Sequence, residues 1–203
     1  MTSTPDVLPR SPGAVQAPLP TRFALAVERW PAADRLAAAL QPLATPFGPG
    51  HVGDLLRDRV LGHALHPALT DLPLAAWTAA AVLDVRRRRE ERPAATAFEG
   101  LGVLATVPTA LTGLAEWTRT DGAERRVGAT HAVANTAALA LHVLSWAARR
   151  SGRHHLGVAT ATAANGVVGL SALLGGHLTT VRKVGSAGVA DADGTDVSTG
   201  GPA

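Results

Sequence analysis

Two histidines, His63 and His66, stand three residues apart where a polar stretch gives way to a long apolar run, and Asp71 follows inside that run. Imidazoles with a carboxylate nearby can ligate a metal, hold haem iron axially or carry a proton. Ionisable groups in a hydrophobic segment are costly to place there and call for an explanation. On a helix the three-residue spacing would let both imidazoles face one ion, but Pro67 favours a helix that begins at the proline. Asp71 has two readings of equal weight: a site carboxylate, or an N-cap ahead of Pro73, which leaves the Leu69 carbonyl without its usual N–H partner.

The elements that must position these groups are apolar and long. Four segments follow one another, at about 67–85, 94–117, 127–148 and 156–181. The third holds 22 consecutive residues without Asp, Glu, Lys or Arg, and the fourth holds 26. A soluble bundle would show charges on each outer face, so these read as transmembrane helices. The first two carry Asp71, Asp84, Glu99 and Glu116 but have the length of a span. Short connections make the set an antiparallel up-down bundle over 62–184. The fold class expected is therefore all-α, an integral membrane four-helix bundle.

Before the first span, residues 21–61 carry apolar positions at helical spacing (Leu25, Trp30, Leu36, Leu40, Leu43), broken at Pro31 and ended by Pro42 and Pro46. A second short helix is expected from Val52 to Leu61. Both read as amphipathic pieces in the membrane interface, the alternative being packing on the same protein or a partner. Residues 1–20, with five prolines and no apolar core, do not resemble a signal peptide; they and 185–203 read as disordered tails.

Charge and composition narrow the function. The chain has no cysteine, which excludes disulfides and cluster ligation by its own thiolates. Its 18 arginines and one lysine lie in short clusters between apolar segments, a pattern of membrane topology and not of nucleic-acid binding. Eight arginines in 86–92 and 149–153 face seven basic residues on the opposite side, which places the arginine-dense loops in the cytoplasm and both termini outside. The chain lacks a phosphate-binding Gly loop, a G-x-S-x-G elbow, an H-E-x-x-H motif and a nucleophile–base pair, so no catalytic residue is named.

Polar stripes mark the helix faces. His131, Asn135, Ala138, His142 and Ser145 share one face of the third span, and Glu99, Gly102, Thr106, Thr109, Gly113 and Glu116 one face of the second. Thr162, Asn165, Gly169, Ala172 and Gly176 suggest the inner face of the fourth. Up-down topology then gathers His63, His66, Asp71, Glu116, Trp117, His131 and His177 at one membrane face. The cofactor-binding candidates are His63, His66, His131 and His177, for haem b or, alternatively, a transition metal, with Asp71, Glu116, Trp117 and Asn135 in support. His51, His154 and His155 read as solvated interfacial residues. With only His154 and His155 at the other end, in a loop, no second site is expected there.

The motifs also resemble a known family. The run from Gly62 to Pro73 with Trp77 and Asp84, the run from Pro108 to Trp117, Arg125-Arg126-Val127-Gly128 with His131 and Asn135, and Gly175-Gly176-His177-Leu178 together resemble a bacterial family of predicted membrane proteins, domain of unknown function 2231. Ala64 stands where that family often has proline, and Glu116 where it often has aspartate. Some members are fused to, or encoded near, Rieske iron–sulfur domains, so the resemblance implies a redox setting without implying catalytic residues. Three functions remain open: a redox-associated membrane component that binds haem, metal or quinone and serves a Rieske-type or other redox partner; a non-enzymatic scaffold; and a small proton-coupled transporter.

Overall fold

The computed structural model describes residues 17–57 and 64–185. His63, most of the expected tails and the end of the second short helix lie outside the described residues. Three short helices, α1 (Leu19–Glu28), α2 (Ala32–Ala44) and α3 (His51–Arg57), precede four long ones. These are α4 (Leu65–Arg86), α5 (Arg92–Trp117), α6 (Gly122–Arg150) and α7 (His154–Gly176), the last continued by a π-helical turn at His177–Val181. There is no strand among the described residues. All four long helices have the length and hydropathy to cross a membrane, α5 counted with the 3-10 turn before it and α7 with its π-turn.

Local chemistry explains the boundaries. Pro67 sits in the first turn of α4 and not at its first residue, a position where a missing N–H breaks no helical bond. Pro73 lies inside α4, and the Leu69 carbonyl it leaves free accepts the Thr109 hydroxyl of α5 at 3.1 Å. A sequence-local defect thus becomes an interhelical bond. Pro42, expected to end α2, is instead inside it, and the helix runs two residues further. Between α6 and α7 the reversal is tight. Arg153 N donates to Ala148 O at 2.8 Å, and Gly152, at φ +80°, takes the left-handed position such a stop requires.

The bundle is two hairpins, α4–α5 and α6–α7, joined mainly through α5 and α6; α4 and α7 touch far less than α5 and α6 do, leaving an open groove between them. Large rings seat against glycines. A Cβ on Gly102 would fall 2.3 Å from Trp77 Nε1, and one on Gly128 2.5 Å from Trp117 Cδ1. We expect Gly128→Ala to lower stability by about 1–3 kcal/mol, the usual range for overpacking. A thermal melt in detergent checks this, and an unchanged melting temperature would refute it.

The expected inner face of α7 is corrected here. Thr162, Gly169 and Ala172 are exposed, the last two along the open groove, while Gly157, Ala161, Ala164, Ser171 and Leu174 are buried. Nearly every α7 side chain is small or apolar, so polarity contrast does not mark a face. Thr162 can face outward because its hydroxyl bonds to the Val158 carbonyl of its own helix at 2.9 Å.

α1, α2 and α3 pack on the end of the bundle formed by the start of α6 and the ends of α5 and α7. Ala24 and Val27 cluster with Val127, Leu174 and Leu178, and Ala37 and Ala44 with Trp117 and Ala129. Three polar contacts pin this cap. Arg126 pairs with Asp34 at 2.7 Å, and Glu28 bonds His177 and Arg182. Arg57, 1% exposed, donates to the carbonyls of Phe47 and Ala115 and pairs with Asp54. Leu19, Phe23, Trp30, Val52 and Leu55 stay exposed on the cap.

Candidate functional site

The capped end holds a cavity of about 230 Å³. α4 contributes His66, α5 Gly113, Glu116 and Trp117, α6 His131 and Asn135, and α7 Gly175 and Leu178. Leu40 and Leu43 of α2 close it from the cap side, and Val184 and Gly185 reach it from beyond the π-turn. Its surface is mainly apolar, with imidazole, carboxylate and amide groups set into it.

The two histidines that meet here are held differently. His66 Nδ1 lies 2.9 Å from the Thr109 carbonyl, which can only accept, so Nδ1 carries the proton and Nε2 is left as an acceptor. His131 Nδ1 likewise faces the Ser171 carbonyl at 2.9 Å, while its Nε2 receives the Asn135 amide at 2.9 Å. Both nitrogens of His131 are thus engaged by protein. The rings meet edge to face, with centroids 6.5 Å apart. Gly113 makes room for His66, since a Cβ there would lie 2.8 Å from the imidazole Cε1. Trp117 lies under the Arg125 guanidinium at 4.2 Å and donates its Nε1 to the Arg125 carbonyl.

His66, Glu116, Trp117, His131 and Asn135 are therefore brought together, although they span 70 positions of sequence. His177 is not among them: it is buried at 2.7 Å from Glu28 Oε1, where it ties α7 to α1. Asp71 is exposed in the second turn of α4, neither an N-cap nor a cavity wall. The helix begins six residues before it, and five residues from His66 turn it about 140° away from that ring. Among the described residues no three His, Asp or Glu side chains come together to hold a metal ion.

Sequence reasoning missed a second polar group nearer the arginine-rich end. Glu99 and His142, 1% and 0% exposed, meet at 2.9 Å, and Trp77 stacks on the imidazole at 3.7 Å. Closer to that end Arg149 grips Asp84 with two bonds of 2.9 and 2.6 Å. His154 starts α7 instead of lying in a loop and reaches to 3.6 Å of the same carboxylate. The available signal was that α5 and α6 each carry an ionisable residue, Glu99 and His142, about two turns from this end.

Residues 62–188 match the family described as predicted membrane protein, domain of unknown function 2231. Searches of curated proteins and of solved structures found no match. With well over half of the chain covered by one family, and with four helices able to cross a membrane, this protein belongs to the predicted membrane protein family of domain of unknown function 2231.

Proposed function

We propose that this protein is a multi-pass membrane component that binds a small, largely apolar ring carrying a hydroxyl, with a hydroquinone headgroup as the best-fitting case. The observation behind this reading is His66. Its Nδ1–H is committed to a backbone carbonyl, so an acceptor nitrogen is presented at the wall of an apolar cavity. Pockets for such ligands are mostly apolar with a few fixed polar groups that set orientation. Size supports the reading too. A cavity of about 150 Å³ takes one benzene ring, so 230 Å³ suits a single substituted ring.

The same arguments weigh against haem and metal. A tetrapyrrole needs far more room than one ring, and axial ligation by both histidines would require a nitrogen of His131 that Asn135 already occupies. A structural metal site takes three or more donors, and no such group gathers among the described residues, which do not include His63. In this reading, electron transfer belongs to a partner, Rieske-type or other, and this chain binds and orients the ring. The arginine-dense loops are assigned to the cytoplasm, which puts the cavity near the opposite face. A scaffold is the second reading, favoured by the number of polar side chains spent on joining helices: His131 to Ser171, His177 to Glu28, and Arg149 to Asp84.

Titration of the protein in nanodiscs with duroquinol, followed by Trp117 emission, tests the first reading. Saturable quenching that weakens by roughly 10-fold in affinity in His66→Ala, on the scale of one lost polar contact in an apolar site, is the expected result. Quenching that is absent, or equally tight in His66→Ala, would favour the scaffold.

A further inference from the structure

We propose that Glu99 and His142 form a proton-loading site inside the bundle. Three observations carry it. The pair is sealed from solvent, its partners lie on different helices, and His142 Nε2 is buried with no hydrogen-bond partner among the described residues. A polar nitrogen left bare in a membrane interior is destabilising and calls for a reason. With Nδ1 facing Glu99, the Nε2 lone pair is a position of the pair open to a proton.

Thr106 and Leu139 line the cavity, and they lie about one helical turn, roughly 5 Å, from Gly102 and His142. Trp77 fills that interval: it lies flat on the imidazole, with interplanar angle 4°, and its own Nε1 is also without a partner. The stack holds the ring in one orientation while leaving both nitrogens as edges. Towards the other end, Glu99 stands seven residues into α5, about 10 Å from Arg92. The charged and titratable groups nearest the pair are Asp84 on α4, Arg92 on α5, Arg149 on α6 and His154 on α7. On the cavity side they are His66, His131 and Glu116. Towards the arginine-rich end Asp84 is paired with Arg149, and Glu91 Oε2 is buried without a partner among the described residues.

The step balances simply. With Glu99 ionised and His142 carrying its proton on Nδ1, the pair bears one negative charge. A proton arriving at Nε2 forms an N–H bond there and neutralises the pair. The Nδ1 proton can then pass 2.9 Å to Glu99 Oε1, breaking N–H and forming O–H without changing the total. No electron moves.

Infrared difference spectra of the full chain in nanodiscs, between acid and alkaline buffer, test this without any ligand. The expected result, over the titration of the chain's other carboxylates and histidines, is a carboxylic acid or imidazolium band of about one proton. It should be lost in both Glu99→Gln and His142→Gln and matched in midpoint by an emission change that Trp77→Phe removes. Gln keeps the shape and a hydrogen bond, and circular dichroism would show that each variant folds. A difference spectrum that is the same in the parent and in both folded variants would overturn the proposal. Neither outcome depends on whether the cavity binds a hydroquinone.

Discussion

Replacing Arg149 with alanine will lower the stability of this protein by about 3–5 kcal/mol, the range for breaking a buried pair by removing one partner. The Arg149 side chain is 0% exposed and Asp84 7%, and two short bonds join them. Arg149 also reaches Ser145 Oγ at 3.1 Å, and Ser145 in turn bonds the Gly157 carbonyl at 2.8 Å. Three helices, α4, α6 and α7, are therefore tied at one point. Alanine leaves Asp84 charged and buried with only His154 nearby. The double variant Asp84→Leu, Arg149→Met should recover most of the loss, because removing both charges removes the desolvation penalty with them. Chemical denaturation in detergent measures both variants. A single variant as stable as the parent would show that water reaches the pair.

Glu28→Ala will release the cap, at about 2–3 kcal/mol, reduced from the fully buried range because Arg182 is partly exposed. Glu28 has two partners, Arg182 Nε and His177 Nε2, each at 2.7 Å, and it fixes α1 against the end of α7. Arg182, and next to it His177, holds the Glu28 carboxyl below its ordinary 4.5, against the opposing effect of burial. The sign follows directly. A group whose folded pKa is depressed contributes stability that is present above the unfolded value and is lost as pH falls through the folded one. Cap attachment should therefore hold at neutral pH and fail below about 4.5. Limited proteolysis between α1 and α2 across a pH series reads this out. Cleavage that is as slow at acid pH as at neutral pH, or unchanged by Glu28→Ala, would rule it out.

These two contacts also show what a sequence can and cannot carry. Arg149 and Asp84 are 65 positions apart, and Glu28 and His177 are 149. Nothing local in either neighbourhood names the partner. Glu28 lies in a short helix whose amphipathic pattern reads first as a membrane-surface piece. Its buried residues instead face the bundle, because that end offers Val127, Leu174 and Leu178 as apolar surface. The inner face of α6 was legible, since His131, Asn135, His142 and Ser145 contrast with apolar neighbours. The inner face of α7 was not, because its glycines, alanines and threonines look alike on every side.

The His-x-x-His stretch at the start of α4 remains informative in one half. His66 reaches the cavity, His63 lies outside the described residues, and Asp71 turns away. The sequence by itself determined four apolar spans, their order and antiparallel course, and hence which helix ends share a membrane face. Those follow from hydropathy and loop length, which are properties of the chain read locally. Only the tertiary structure decided which polar groups at that face touch. Helix rotation sets contact, one residue changes it by about 100°, and rotation is chosen by packing such as Trp77 on Gly102 and His66 on Gly113.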